Sequence, residues 1–184
     1  VMLVTKADAY GHGDVRVALR FQELGVNMFA VSNIDEAVSL RKAGVEGEIL
    51  ILGYTSPLNA KILYEHNLTQ AIASEEYASA LVRRNMTIKC QFAIDTGMNR
   101  IGIDGDSPIE CSTIIHRYAK RLKINGIFTH LCVADTEEGD NEEFTIGQMR
   151  KFKAVAELVK DMDLPYVHCC NSAAGLNYLP KYYD

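Results

Sequence analysis

What the chain has little of narrows the field first. It carries no excess of positive charge: nineteen Lys and Arg stand against twenty-four Asp and Glu, for a formal net charge of -5. Phosphate-backbone binding usually leaves a basic stripe, and none is present, which argues against nucleic acid as a partner. No apolar run approaches the ~20 residues of a spanning helix; the longest candidates, such as Ile49 to Leu52, are strand-sized, so no membrane contact is expected of this segment. The basic, apolar and small-residue order of a signal peptide is missing as well. Cysteine is sparse and odd in number, at Cys90, Cys111, Cys132, Cys169 and Cys170. That is a poor disulfide framework and suits a reducing, cytoplasmic compartment. There is no internal repeat, low-complexity tract or linker. The chain opens on Val1 and stops at Asp184 without a helix cap, and reads as a piece of a longer protein.

What is there is an ordinary globular balance: 184 residues, 48% hydrophobic and 23% charged, enough for one substantial core. Short apolar, β-branched runs alternate with amphipathic stretches. The expected strands are Val1 to Thr5, Met28 to Ser32, Glu48 to Leu52, Gln70 to Ala73, Thr87 to Asp95, Ile124 to Thr129 and Tyr166 to Cys170. The expected helices are Val15 to Leu24, Asp35 to Ala43, Glu75 to Arg84, Pro108 to Arg121 and Phe144 to Met162. The acidic segment from Asp135 to Glu143 reads as a solvated surface loop. Repeated strand-helix order implies a parallel sheet, because parallel neighbours need a crossover. No G-x-G-x-x-G follows the first strand, which favours a (β/α)8 barrel of the TIM type over a dinucleotide-binding sheet. Seven strands would leave the barrel incomplete, with an eighth expected beyond Asp184.

Barrel enzymes place their chemistry at the carboxyl ends of the strands. Those ends offer Lys6 and Tyr10 after the first strand, Arg100 after the fifth, His130 after the sixth, and Asn171 and Ser172 after the seventh. Together they suit a planar, anionic ligand. Lys6 is in phase with Met2 and Val4; emerging from an apolar strand it is partly desolvated, which favours the neutral, nucleophilic amine. A lysine in that place can also simply snorkel its ammonium to water. Arg100 alone could equally be a surface ion-pair residue, and His130 alone a core imidazole with its two partners satisfied. His130, Cys132, His168, Cys169 and Cys170 could in principle hold zinc, but their spacing is not that of a closed structural site.

Four motifs shift the balance. Lys6-Ala7-Asp8-Ala9-Tyr10-Gly11-His12-Gly13 resembles the cofactor-lysine motif of the alanine racemase family, unbroken over eight residues. Asp95-Thr96-Gly97-Met98-Asn99-Arg100-Ile101-Gly102 resembles a second, with Asn99 where Gly is usual. Phe128-Thr129-His130 and His168-Cys169-Cys170-Asn171-Ser172-Ala173-Ala174 resemble two more, the last with Cys170 where Ala is usual. They occur in the family's order and cover essentially the whole chain. The resemblance implies a barrel that binds pyridoxal 5'-phosphate (PLP), a following β-domain that this chain lacks, a homodimer, and racemisation of a small amino acid, alanine or serine. In that family Lys6 would hold the cofactor covalently and move the α-proton on one face. Tyr10 and Ser172 would bind the phosphate, with Asn171 supporting that end. Arg100 would meet the ring's phenolic oxygen, His130 would lie against the pyridine face, and His168 would orient the group that meets the ring nitrogen.

The pattern is broken in one more place. Many members carry a carbamylated lysine that steadies the arginine, two residues before Asp95; here Ala93 stands there. Either another anion holds Arg100 or its position is looser. The resemblance leaves the substrate open, since a branch linked to vancomycin resistance racemises serine, often as the cytoplasmic part of a membrane protein. A PLP-binding protein without racemase activity is the other reading.

Overall fold

The structure, a computed structural model, describes residues 1–136 and 138–178. All seven expected runs form strands, but most are shorter than their apolar runs: β1 (Leu3–Val4), β2 (Met28–Val31), β3 (Glu48–Ile51), β4 (Thr69–Ile72), β5 (Lys89–Asp95), β7 (Lys123–Phe128) and β8 (Tyr166–His168). An eighth, β6 (Ile103–Asp104), was not expected; two residues carry no readable period, and it pairs only with β5. The strand order is β1-β2-β3-β4-β5-β7-β8, and the recorded pairings are parallel, with Leu3 opposite Phe29, Met28 opposite Glu48, and Gly126 opposite Tyr166. Helices Asp14–Glu23, Ile34–Lys42, Ala60–Glu65, Glu75–Val82, Pro108–Tyr118 and Gly139–Leu158 make the crossovers. This is an incomplete (β/α)8 barrel. The strand expected beyond Asp184 lies outside the described residues.

Three differences from the expected elements have physical causes. Ala60–Glu65, preceded by a 3-10 turn at Pro57–Asn59, was hidden because Ile62 and Tyr64 are exposed and blur the apolar stripe. The acidic segment is not all loop: the long helix starts at Gly139 and takes Asp140 and Glu142 into its first turn, where the helix dipole favours negative charge. Past β8, Asn171 caps a short helix, Ser172–Asn177, by accepting a hydrogen bond from the Ala174 N–H at 2.9 Å. No helix among the described residues is long and apolar enough to cross a membrane.

The chain divides into two compact units. The first holds Val1–Ala71, Tyr77–Cys90 and Arg121–Lys123. Its core is the buried run of β2 and β3 (Phe29, Ala30, Val31, Ile49, Leu50 and Ile51) under Ala18, Ala37, Leu40 and Leu63 from the helices. Three consecutive buried residues per strand mean that both faces are covered, as parallel strands require. A partly buried ion pair, Lys89 to Glu48 at 3.0 Å, lies where β5 and β3 begin, and the Thr69 hydroxyl also donates to Glu48.

The second unit holds residues 72–76, 91–120 and, as described, 124–178. Phe92, Ile94, Ile127, Ile115, Met149, Phe152 and Val155 form its core. One side chain of the long helix reaches into that core. Gln148, 1% exposed, donates to Thr96 Oγ1 at 3.1 Å and to the His130 carbonyl at 3.0 Å, while its oxygen accepts the Cys132 N–H at 3.1 Å. Thr96 and Thr129 join hydroxyls at 2.8 Å. A single amide thus fixes the ends of β5 and β7 to each other. At β8, His168 stacks on Phe128 with ring centroids 5.4 Å apart and donates from Nε2 to Gln91 Oε1 at 2.8 Å. Gly126 leaves the room this needs, since a Cβ there would meet the Tyr166 carbonyl at 2.3 Å and the Gln91 amide carbon at 3.1 Å.

Two expectations follow. Gln148→Leu keeps the volume but strands several buried polar partners, and should cost the complete protein about 1–3 kcal/mol by chemical denaturation; unchanged stability would show the network to be idle. Burial holds the His168 imidazole neutral, its pKa lowered from 6.5 to about 4. Unfolding frees it to take a proton at its ordinary value, so the unfolded state binds more protons in that window. This residue's contribution to stability should fall as pH drops from 6.5 towards about 4 and then level off. Denaturation curves of wild type and His168→Gln across that range test this: the slope should be shallower in the variant.

Candidate functional site

The residues singled out at the strand ends divide between the two units, and each set can be built from its own backbone. In the first unit β1 ends at Val4, and Thr5 is still sheet-like in donating its N–H to the Ala30 carbonyl at 2.8 Å. Lys6 begins a turn that no rule for ordinary residues anticipates. Ala7, Asp8, Ala9 and Tyr10 have φ of 52°, 54°, 51° and 56° with ψ of 53°, 44°, 47° and 34°, a full left-handed helical turn without one glycine. For L-residues that conformation costs roughly 1–2 kcal/mol each, so neighbouring groups must hold it.

The tethers are identifiable. Ala9 N–H donates to the Thr5 carbonyl at 2.9 Å, and Gly13 N–H to the Asp8 carbonyl at 2.9 Å. Asp8 Oδ1 accepts the Asp14 N–H at 3.0 Å, starting the next helix. His12 Nδ1 contacts the Ala9 carbonyl at 2.9 Å. From across the unit, Glu36 Oε1 accepts the Ala7 N–H at 3.0 Å. The result sets Lys6 half-buried, with Nζ 5.9 Å from the centroid of the exposed Tyr10 ring. Among the described residues no carboxylate pairs with this amine. Asp8 and His12 are tethers of the turn and stand apart from the reactive groups.

In the second unit Asp95 closes β5 and organises the next turn, Oδ1 accepting the N–H groups of Gly97 at 2.9 Å and Asn99 at 3.0 Å. Asn99 has φ of 56°. That explains the tolerated departure from glycine: the position needs a left-handed backbone, and Asn is among the few side chains that accept it readily. Arg100 follows, exposed and without a hydrogen bond or ion pair among the described residues; Ala93, where an anchor was looked for, is buried and apolar. Among the described residues no anion takes the place of the missing anchor. His130 is exposed at the end of β7, its carbonyl held by Gln148.

After β8, Asn171 is committed on both sides, accepting from Ala174 N–H and donating from Nδ2 to the Leu131 carbonyl at 2.7 Å. Its amide therefore positions the start of the helix, where Ser172 is exposed. His168, with Nε2–H given to Gln91, keeps Nδ1 as an acceptor. Glu36, Gln148 and Gln91 were missed by sequence reasoning. For Glu36 a signal existed, since Asn33-Ile34-Asp35-Glu36 is a capping box; for the two glutamines, polar side chains on a helix and a strand gave none. Among the described residues no three His, Cys, Asp or Glu gather as a metal site would require.

PLP carries an aldehyde, a phenolic oxygen, a pyridine ring and a phosphate dianion. Each unit, taken by itself, carries donors of the kinds such a group bonds. Among the described residues the first offers an amine that no carboxylate pairs and an exposed phenol. Among the same residues the second offers a guanidinium without an ion pair, an exposed hydroxyl at a capped helix start, and an imidazole kept neutral by burial.

Comparison with known proteins gives the family. The family model described as alanine racemase, N-terminal domain, matches residues 1–184. An amino-acid racemase of Enterococcus faecalis is 41% identical over 98% of this chain, which spans 23% of that protein. A serine/alanine racemase of Enterococcus gallinarum is 40% identical over 100% of the chain, which spans 26% of it. The solved structure of alanine racemase from E. faecalis superimposes with a TM-score of 0.88 at 32% identity, covering 98% of this chain and 49% of that one. The chain thus spans about a quarter of these two curated relatives and about half of the solved enzyme. It belongs to the alanine racemase family, of which it carries the N-terminal domain.

Proposed function

We propose that the complete protein is a PLP-dependent racemase that interconverts the L- and D-forms of alanine, with Lys6 as its cofactor anchor. The observation that carries this reading is Lys6 itself: a half-buried amine that no carboxylate pairs among the described residues, at the mouth of β1, in an eight-residue run of the family's cofactor-lysine motif. The bound cofactor supplies an electron sink for the pair left behind when the substrate's α-proton departs. The protein's own residues do the rest. Lys6 takes or returns that proton at Nζ on one face. Tyr10 and Ser172 would donate to the phosphate, and Asn171 would support that end by fixing where Ser172 stands. Arg100 would bond the phenolic oxygen, His130 would serve the pyridine ring, and His168, neutral and fixed by Gln91, would offer Nδ1 to the group that meets the ring nitrogen.

Inversion needs a base on each face, because a single base mostly returns the proton to the side it came from. The second base is proposed to be a tyrosine of a partner subunit, in a β-domain that follows the rest of the barrel, so the complete protein is a homodimer and this segment alone is inactive. D-Alanine made in the cytoplasm would feed cell-wall peptidoglycan. Serine is the second substrate to weigh, since a 40% identical relative is a serine/alanine racemase.

The complete protein should be assayed with L-alanine and L-serine in D2O. A racemase inverts the substrate and incorporates deuterium at the α-carbon, and Lys6→Ala should lower the rate at least about a thousandfold. Exchange without inversion, or no exchange with either amino acid, would make this a PLP-binding protein of another kind.

A further inference from the structure

Among the described residues Glu36 is the one carboxylate that reaches the Lys6 turn from another element. It sits at the third position of helix Ile34–Lys42, whose start Asn33 caps by accepting the Glu36 N–H at 3.0 Å. A glutamate there ordinarily bends back to the helix's own first N–H groups. Here its two oxygens are divided. Oε2 takes the Ser32 N–H at 2.7 Å and the Ser32 hydroxyl at 2.9 Å. Oε1 also takes the Ala7 N–H at 3.0 Å, twenty-nine residues away in the chain.

Ala7 is the first of the four left-handed residues and directly follows Lys6. Its N–H belongs to the peptide that joins Lys6 to Ala7, so the bond fixes that peptide plane at the entry to the left-handed turn. Charge-assisted bonds of this kind are the stronger ones. Burial would raise the Glu36 pKa, but the hydrogen bonds from Ser32, Ala7 and Asn33 together outweigh it and hold the group below 4.5, ionised at neutral pH.

We propose that Glu36 is a positioning residue: its carboxylate selects the left-handed turn at Ala7 and so presets the direction in which Lys6 leaves β1 before any cofactor arrives. The proposal rests on the reading of Lys6 as the PLP anchor, and goes beyond it by naming what aims that amine. A purely local role, capping helix Ile34–Lys42, makes a different forecast. Glycine adopts positive φ without the penalty that alanine meets. If Glu36 acts by holding Ala7 left-handed, Ala7→Gly should restore what the loss of Glu36 removes; if it only caps its helix, it should not.

The test uses the complete protein as wild type, Glu36→Gln, Glu36→Ala and the double variant Glu36→Ala with Ala7→Gly. Amide hydrogen exchange over residues 5–13 is measured without cofactor, and PLP affinity by visible-absorbance titration. Glu36→Ala should speed exchange in the turn and weaken PLP binding about tenfold. Glu36→Gln, which keeps one acceptor oxygen for the N–H groups that the carboxylate takes, should fall between, and it carries the test if Glu36→Ala does not fold. The double variant should recover most of the loss. Exchange and affinity within twofold of wild type, or a loss that Ala7→Gly does not restore, overturns the proposal. If wild type binds no PLP, the anchor reading fails, while the exchange comparison still decides the role of Glu36.

Discussion

A left-handed turn built from Ala, Asp, Ala and Tyr has to be held against its own backbone, and much of the first unit is arranged to do so. At roughly 1–2 kcal/mol per residue, four such residues set a demand that one hydrogen bond cannot meet. The Thr5 carbonyl, the Asp8 side chain, the His12 ring and the Glu36 carboxylate each take a share. Strain of this sort persists only where the surroundings over-determine it, and it gathers at sites of function. Here it turns the chain abruptly at the carboxyl end of β1, so that Lys6 and Tyr10 stand next to each other instead of being spread along a loop.

The second unit meets a different constraint, polar groups that must be buried to hold strand ends in place. Gln148 and Asn171 spend their amide hydrogen-bonding capacity on backbone and hydroxyl partners around β5, β7 and β8. Each is worth more for what its loss would strand than for what it adds. Arg100 is the exception. It projects from a turn tightly organised by Asp95 and Asn99, yet its guanidinium is not held among the described residues. The bound cofactor's phenolic oxygen is the partner that the family resemblance implies.

Much of the architecture was legible in the residues. Runs such as Met28 to Val31 and Ile49 to Ile51 are apolar throughout because parallel strands are buried on both faces, and the glycines and asparagines around them mark where they stop. The helix at Asp14–Glu23 shows its period openly. Ile103–Asp104 is too short to show one, and Ala60–Glu65 exposes its apolar side chains. The motifs located the candidate residues but not their support. Nothing in Ala7-Asp8-Ala9-Tyr10 announces positive φ, since the sign of a left-handed turn is usually glycine or asparagine. The Glu36 contact joins residues twenty-nine apart, and Gln148 looks like any polar position on a long helix. Local chemistry was readable; the contacts that hold it in place are long-range.

The account depends on Lys6 being the amine that bonds the cofactor. The complete protein, loaded with PLP, reduced with borohydride and digested, would show by mass spectrometry which lysine carries the pyridoxyl group. The expected result is a single modified peptide bearing the label on Lys6. A label on any other lysine, or none on a protein whose Lys6 stays free with cofactor in excess, would contradict it.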